Sequence, residues 1–429
     1  MAKLIYDKTG RLIFTKEMKR EYTLLMPQML PVTFTMMKKV FELYGCKIEM
    51  LTTTHRGIVE TGLKYVHNDT CYPALLVIGQ LLEALSSGKY DKHKVGLLIS
   101  QTGGGCRASN YIHLLRKALE KAGMSYIPVV SVNLSGFERN PGFGMSLPVI
   151  RRLAAAMIYG DLIVWLSNQC KPYETIKGES ERLIAYWTDH IVSMFSHGKG
   201  MRKKEMRRCM EEITADFARI ERKGEGTKPR VGIVGEIYVK YAPLGNNGLE
   251  EFLLGEGCEP VVPGLTDFMI FKINNRAVDV DLYHGNKLKK LLAGIFQRYL
   301  EGLQREMIEA VKTRATFRTM GSFSDLQRLI RGYLGYGNKM GEGWLLTAEM
   351  LELINTGANN IVCTQPFGCL PNHIVGKGMI RRLKDDYPES NIVAIDYDPG
   401  ATKINQENRI KLMIANAGRG GGAELRTES

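Results

Sequence analysis

Residues Ile361-Val-Cys-Thr-Gln-Pro-Phe-Gly-Cys-Leu-Pro-Asn-His373 begin with a short apolar run that is followed by two prolines, a glycine, a second thiol and an imidazole. The apolar run predicts a buried strand that ends near Cys363, and the residues after it predict a loop. In α/β sheets, loops at the carboxyl ends of strands carry binding and catalytic groups. The stretch therefore predicts a sheet with a functional site at its edge, where Cys363 and Cys369 are candidate metal ligands.

The rest of the chain alternates short apolar runs with helical patterns. This alternation predicts an α/β protein with two parallel-sheet lobes of the Rossmann or flavodoxin type. The predicted strands lie near residues 22–27, 46–51, 94–100, 126–133, 231–235, 257–262, 360–363 and 391–396. We expect an N-terminal lobe (1–148), a helical insertion (149–227), a C-terminal lobe (228–417) and a disordered tail (418–429).

The composition limits the broad class of the protein. At 429 residues, with 44% hydrophobic and 24% charged side chains, the chain is typical of a globular protein with a sizeable core. No apolar run reaches the roughly 20 residues of a membrane span, and the start of the chain lacks a signal-peptide core, so we expect a cytoplasmic protein. The net charge of +13 favours anionic partners, but the sequence has no zinc-finger spacing or RNP-type motif that would indicate nucleic acid.

Cys71 lies in the loop His67-Asn-Asp-Thr-Cys-Tyr-Pro73, just before a long apolar helix. Pro73 suits the first helical turn, where its missing N–H group costs nothing. A thiol in this position is near a helix N-terminus, where the helix dipole favours an anionic ligand or cluster.

Cys106 follows the glycine-rich turn Gln101-Thr-Gly-Gly-Gly105, between a predicted strand and a predicted helix. The turn is not a P-loop, because no Gly-Lys-Ser/Thr follows, and its consecutive glycines do not match a dinucleotide fingerprint. The backbone N–H groups of Gly104 and Gly105 are better placed to approach a sulfur cluster than a nucleotide.

Four cysteines each lie at or just after a predicted strand-to-helix junction, namely Cys71, Cys106, Cys363 and Cys369. They can come together only if the two lobes face each other across a cleft. Soft thiolate ligands beside glycine-rich backbone suit an iron–sulfur cluster. A zinc–thiolate site, or inert buried thiols, are the alternatives, and for Cys363 at the end of its strand the buried alternative stays open. The other cysteines are expected to be structural, namely Cys46, Cys170, Cys209 and Cys258.

Four ordered motifs resemble those of 2-hydroxyacyl-CoA dehydratase subunits, and more closely the activase-related and double-cubane cluster proteins. The motifs span nearly the whole chain, and they are Asn68-Asp-Thr-Cys-Tyr-Pro-Ala-Leu-Leu-Val-Ile-Gly79, Gln101-Thr-Gly-Gly-Gly-Cys-Arg-Ala-Ser-Asn110, Gly341-Glu-Gly-Trp-Leu-Leu-Thr-Ala-Glu349 and Gln365-Pro-Phe-Gly-Cys-Leu-Pro-Asn-His-Ile-Val-Gly-Lys-Gly378.

The resemblance implies that Cys71, Cys106 and Cys369 hold a 4Fe-4S cluster with one iron open to another ligand. A double-cubane 8Fe-9S cluster would need more thiolates, and Cys363 would be the first of these. The others would have to come from cysteines that are expected to be structural, so the single cluster is favoured. The resemblance further implies a separate ATP-dependent activator with its own iron–sulfur cluster. This chain has no recognisable nucleotide-phosphate loop, so it resembles the electron acceptor and not the ATPase. A homo- or heterodimer is expected.

The implied reaction is the reductive dehydration or reduction of a CoA thioester by a low-potential electron. Glu342 and His373 are the candidate acid/base groups, with a solvated glutamate and a histidine held by a loop hydrogen bond as the alternatives. Arg107 and Lys377 could neutralise the charge of the cluster or of the CoA phosphates. The rival function is a non-catalytic subunit that carries electrons or helps to assemble a larger complex.

Overall fold

The computed structural model describes residues 2–67, 69–100, 105–132, 138 and 140–417. These residues form an α/β structure with two four-stranded, all-parallel sheets, which confirms the predicted fold class. The predicted tail at 418–429 and most of the glycine-rich turn, Gly104 included, lie outside the described residues.

The first sheet contains β1 (Thr23–Pro27), β2 (Lys47–Leu51), β3 (Val95–Ser100) and β4 (Val129–Val132). Its strand order is β2-β1-β3-β4, and every neighbouring pair is parallel. The central strands β1 and β3 are buried along nearly their whole length, as expected for a parallel sheet covered by helices on both faces. The chain reverses its direction of winding between β1 and β3, so the carboxyl end of β3 lies at a topological switch point.

The second sheet contains β5 (Arg230–Gly235), β6 (Glu259–Val261), β7 (Asn360–Pro366) and β8 (Asn391–Tyr397). Its order, β6-β5-β7-β8, repeats that of the first sheet, again with parallel pairs only. The switch point here lies between β5 and β7. The loops that leave these two strands therefore diverge at the carboxyl edge of the sheet, where an α/β protein places its ligand.

Helices cover both sheets. In the described part of the chain they are α1 (Lys16–Glu21), α2 (Pro31–Leu43), α3 (Gly57–Tyr65), α4 (Tyr72–Ser86), α5 (Tyr111–Lys121), α6 (Leu147–Cys170), α7 (Glu179–Ser196), α8 (Lys203–Ala218), α9 (Ile237–Tyr241), α10 (Pro243–Asn246), α11 (Leu249–Gly255), α12 (Leu265–Tyr283), α13 (Lys287–Lys312), α14 (Phe323–Leu329), α15 (Trp344–Asn355), α16 (Leu370–Val375), α17 (Ile380–Asp386) and α18 (Lys403–Ala417). Short 3₁₀ helices lie at Arg107–Asn110 and Lys377–Met379.

Helix α12 was not predicted from the sequence, although it is 19 residues long. It buries Thr266, Asp267 and Asn275 together with its apolar side chains, so its inward face does not read as an apolar stripe. None of the helices in the described part of the chain combines the length and the apolar character that crossing a bilayer would require.

Helix α6 ties the two lobes together. It packs against α2 beside the first sheet and against β6 and α12 of the second lobe, and most of its residues are buried. One apolar core also includes Leu25 and Leu97 of the first sheet together with Val231 and Ile361 of the second. The lobes thus form one packed body, in which the predicted helical insertion contributes a shared central helix.

The buried Asp161 of α6 caps the N-terminus of α12. Its carboxylate accepts hydrogen bonds from the backbone N–H groups of Leu265 (3.0 Å) and Thr266 (2.8 Å) and from the Thr266 hydroxyl (2.6 Å). The N-cap position itself is Gly264, which has no side chain to satisfy these donors. Because its burial raises the pKa of the Asp161 carboxyl, the cap depends on these donors staying in place.

We expect Asp161→Ala to lower the free energy of unfolding by about 3 kcal/mol, since it leaves several buried donors without an acceptor. Denaturant titration followed by circular dichroism would measure this loss. The matched control is Asp385→Ala on α17, where the aspartate is exposed and the change should stay within about 0.5 kcal/mol. Equal effects of the two substitutions would contradict the capping role.

Candidate functional site

A cavity of about 640 Å³ lies between the lobes, and three thiols line it, those of Cys71, Cys106 and Cys369. Cys71 and Cys106 come from the N-terminal lobe and Cys369 comes from the loop after β7. Cys71 and Cys369 are buried and Cys106 is half-buried. The structure therefore brings together the three cysteines that the family resemblance selects as cluster ligands, in the cleft where the sequence predicts them.

Cys71 is the N-cap residue of α4, with Pro73 in the first turn as predicted. It follows helix α3, so the prediction that each loop cysteine follows a strand is wrong for this residue. The Cys71 thiol lies 3.0 Å from the phenol oxygen of Tyr111, a hydrogen bond between buried groups that the sequence did not reveal. Burial raises the pKa of the Cys71 thiol to about 11.

The loop that carries Cys369 is joined directly to the Cys71 loop. The Tyr72 N–H group donates a 3.0 Å hydrogen bond to the Phe367 carbonyl, which links backbone of the two lobes. Gly368 has a φ of +73°, and a Cβ atom at this position would lie 3.1 Å from the Cys71 Cα atom. The close approach and the left-handed conformation both require glycine, and together they hold Cys369 next to Cys71.

Cys106 precedes the short 3₁₀ helix Arg107–Asn110, after the described Gly105. The Gly105 N–H group donates a 3.2 Å hydrogen bond to the thioether sulfur of Met340, which belongs to the other lobe. Gly105 thus lines the cavity, but its N–H group is hydrogen-bonded to a methionine of this chain. Arg107 also lines the cavity, and its guanidinium donates a hydrogen bond to the Asp69 carbonyl.

Two of the predicted site residues lie away from the cavity. Cys363 is fully buried inside β7, where its sulfur is 3.8 Å from the Asn372 side-chain oxygen, and it does not line the cavity. Lys377 is exposed and pairs with Asp396 at 3.8 Å. The environment of Cys363 is that of a core thiol, which is the alternative that the sequence left open.

Glu342 lines the cavity and is 6% exposed, so it is not the solvated glutamate considered as an alternative. Its carboxylate accepts a 3.0 Å hydrogen bond from the Ile237 N–H group, at the start of α9. Lys272 donates a 2.8 Å hydrogen bond from its Nζ to the Gly341 carbonyl, which fixes the glycine loop that carries Glu342. Burial raises the pKa of the Glu342 carboxyl and lowers the pKa of Lys272.

Glu236 is a site residue that the sequence reasoning missed. It directly follows β5 at the switch point, lines the cavity and is 8% exposed. Its carboxylate caps α9 through a 2.9 Å hydrogen bond from the Val239 N–H group. Burial, with the nearby Glu342 charge adding to it, raises the pKa of Glu236 to about 8. A carboxylate directly after the Val-rich strand 231–235 was the available signal.

His373 lines the cavity but is exposed to solvent. Its Nδ1 atom makes a hydrogen bond with the side-chain amide of Gln365, which is itself fully buried. This contact orients the imidazole ring, as the alternative interpretation expected of a loop hydrogen bond, although the partner is a side chain. The other ring nitrogen stays available to the cavity or to solvent.

The three thiols line the same cavity, but they do not form a group that could hold a single metal ion. Burial raises the pKa of Cys106 and of Cys369 as it does that of Cys71, and the nearby Glu342 charge adds to both increases. Throughout residues 2–417, apart from the undescribed positions, no three His, Cys, Asp or Glu side chains form a group that could hold a metal ion. Burial therefore favours the protonated form of all three thiols that line the cavity.

No protein-family model matches the chain, and no curated protein shows significant sequence similarity to it. The resemblance drawn from the four motifs therefore stays a prediction, and functional arguments about this chain depend on the cavity and its residues.

We expect Gly368→Ala to destabilise the protein by about 3 kcal/mol, because it combines left-handed strain with a clash against Cys71. Gly332→Ala is the matched control, since Gly332 has a φ of +87° and nothing within 4 Å of an added Cβ atom. That control should cost only about 1 kcal/mol, from strain alone. Denaturant unfolding of both variants measures the difference, and equal losses would show that the Cys71 and Cys369 loops are not in close contact.

Proposed function

We propose that the chain binds a 4Fe-4S cluster through Cys71, Cys106 and Cys369 and uses it to pass low-potential electrons to a CoA thioester or a similar substrate. The electrons would come from a separate ATP-dependent activator. One observation supports this most strongly: three cysteines that are distant in sequence line a single cavity between the lobes.

The residues fit such a cluster in three respects. Thiolates are the preferred ligands of iron–sulfur clusters. Cys71, Cys106 and Cys369 would hold such a cluster from different parts of one cavity lining, whereas a zinc ion would require its sulfurs at about 2.3 Å from one point. With three thiols for four irons, one iron has no cysteine ligand from the described residues.

The cavity also favours an enzyme over a simple electron carrier. Its volume of about 640 Å³ is within the range of small-molecule sites, and it contains ionisable groups that a buried electron carrier would not need. When bound, the cluster supplies single electrons at low potential. The chain's own residues supply the rest. Burial favours the protonated form of Glu236 and Glu342, which line the cavity as candidate proton donors, and the amine of Lys272 lies beside them.

Anaerobic reconstitution with iron and sulfide is expected to give four irons and four sulfides per chain, with an EPR signal after reduction. Cys71→Ser, Cys106→Ser and Cys369→Ser should each lose most of this iron, because each removes a thiolate ligand. Cys363→Ser is the matched control and should keep its iron, since that thiol lies outside the cavity. A colourless protein with one zinc ion, or loss of iron from the control alone, would contradict the proposal.

Turnover with an activator, ATP and a panel of 2-hydroxyacyl-CoA thioesters separates the enzyme from the carrier. We expect Glu342→Gln to lower kcat by roughly 100-fold without changing iron content, because it removes a proton donor while keeping the side-chain shape. Glu389→Gln, at an exposed position, is the matched control. A cluster that the activator reduces, but that turns over no thioester, would favour the electron-carrying subunit.

A further inference from the structure

The hairpin formed by α12 and α13 exposes a cluster of large apolar side chains at its tip. Each is between 49% and 66% exposed, and together we call them the hairpin patch: Leu282, Tyr283, Leu288, Leu291, Leu292 and Ile295. Six side chains of this size, about half-exposed, present on the order of 600 Å² of apolar surface, which is the upper end for a monomer. A patch of this size indicates an interaction surface.

The patch is ordered along one helix face. Leu288, Leu291, Leu292 and Ile295 have the i, i+3, i+4, i+7 spacing that places them in one stripe of α13. The buried positions of α13 begin only at Leu300 and continue to Val311. The C-terminal half of α13 thus packs into the protein, whereas the four stripe residues of its N-terminal half are between 51% and 61% exposed.

The undescribed tail of this chain does not have the composition to cover the patch. The segment Gly418-Arg-Gly-Gly-Gly-Ala-Glu-Leu-Arg-Thr-Glu-Ser429 contains one large apolar residue, Leu425. One leucine cannot bury six exposed apolar side chains. The described residues and this tail therefore leave the patch available to another molecule.

We propose that the hairpin patch binds the same patch of a second copy of this chain. A two-fold pairing buries the stripe against an identical, apolar stripe, so every contact occurs twice. A standard interface buries about 800 Å² per partner, and the patch supplies most of that area. The stripe also has the spacing used by paired helices, which favours a helical partner of the same length.

The charges around the patch define the orientation of the pairing. Lys287 and Lys289 lie at the N-terminal end of the stripe and are exposed. A parallel arrangement would bring these lysines against their copies, which costs free energy, whereas an antiparallel arrangement separates them. The proposed dimer is therefore an antiparallel four-helix arrangement, and it does not depend on cluster binding in the cavity.

Sedimentation velocity of the full chain at about 1 to 100 µM tests the proposal. We expect a dimer of twice the 48.2 kDa chain mass, and Leu291→Asp with Leu292→Asp should weaken dimerisation by more than roughly 100-fold. The matched control is Leu412→Asp on α18, which is 65% exposed and lies outside the patch. Circular dichroism confirms that the variants are folded, and amide exchange at residues 287–299 should slow on dimerisation.

A monomer at the highest concentration would overturn the proposal, and so would a dimer that the double substitution leaves intact. Vesicles of phosphatidylcholine and phosphatidylserine serve as the second probe. If the patch residues were needed for vesicle binding while the chain stayed monomeric, a membrane surface would replace the second copy as the partner. The same measurements on protein with and without reconstituted iron separate this proposal from the proposed function.

Discussion

The site depends on one contact between backbones, in which the Tyr72 N–H group donates to the Phe367 carbonyl while Gly368 packs on Cys71. This contact brings the start of α4 in one lobe against the loop after β7 in the other. Each loop alone would carry one cysteine into solvent. Their union encloses two thiols in a protein wall and leaves Cys106, on the third loop, to complete the cavity.

Enclosure has an electrostatic consequence that runs through the whole site. Burial disfavours charge, so the pKa values of the cavity thiols and of Glu236 and Glu342 are raised. These groups therefore stay protonated to higher pH than they would in water. The C-terminal lobe tolerates these groups because nearby donors satisfy them. Backbone N–H groups in the first turn of α9 donate hydrogen bonds to both Glu236 and Glu342. Elsewhere in this lobe, the buried Lys240 pairs with Glu349 at 2.9 Å. Metal binding at such thiols would release protons into a site that is already rich in them.

The fold class could be predicted from the sequence because parallel strands that are buried on both faces appear as continuous apolar runs. Cys71, Cys106 and Cys369 were also identified from the sequence as loop thiols, since prolines and glycines mark their loops. Contacts between segments that are distant in sequence could not be predicted. Glu236 carries no motif of its own, the inward face of α12 mixes polar with apolar side chains, and the partner of Cys71 is a tyrosine 40 positions away. These features arise only when the lobes are packed together.

Helix α6 and the continuous core fasten the lobes to each other, so the width of the cleft is fixed by packing. Moving the lobes apart would expose this shared apolar core to water, which costs free energy. At the cavity, the lobes are also joined by the thioether of Met340, which is 44% exposed and accepts a hydrogen bond from the Gly105 N–H group. Methionine has three rotatable bonds, so rotation of the Met340 side chain alone would break this contact between the lobes.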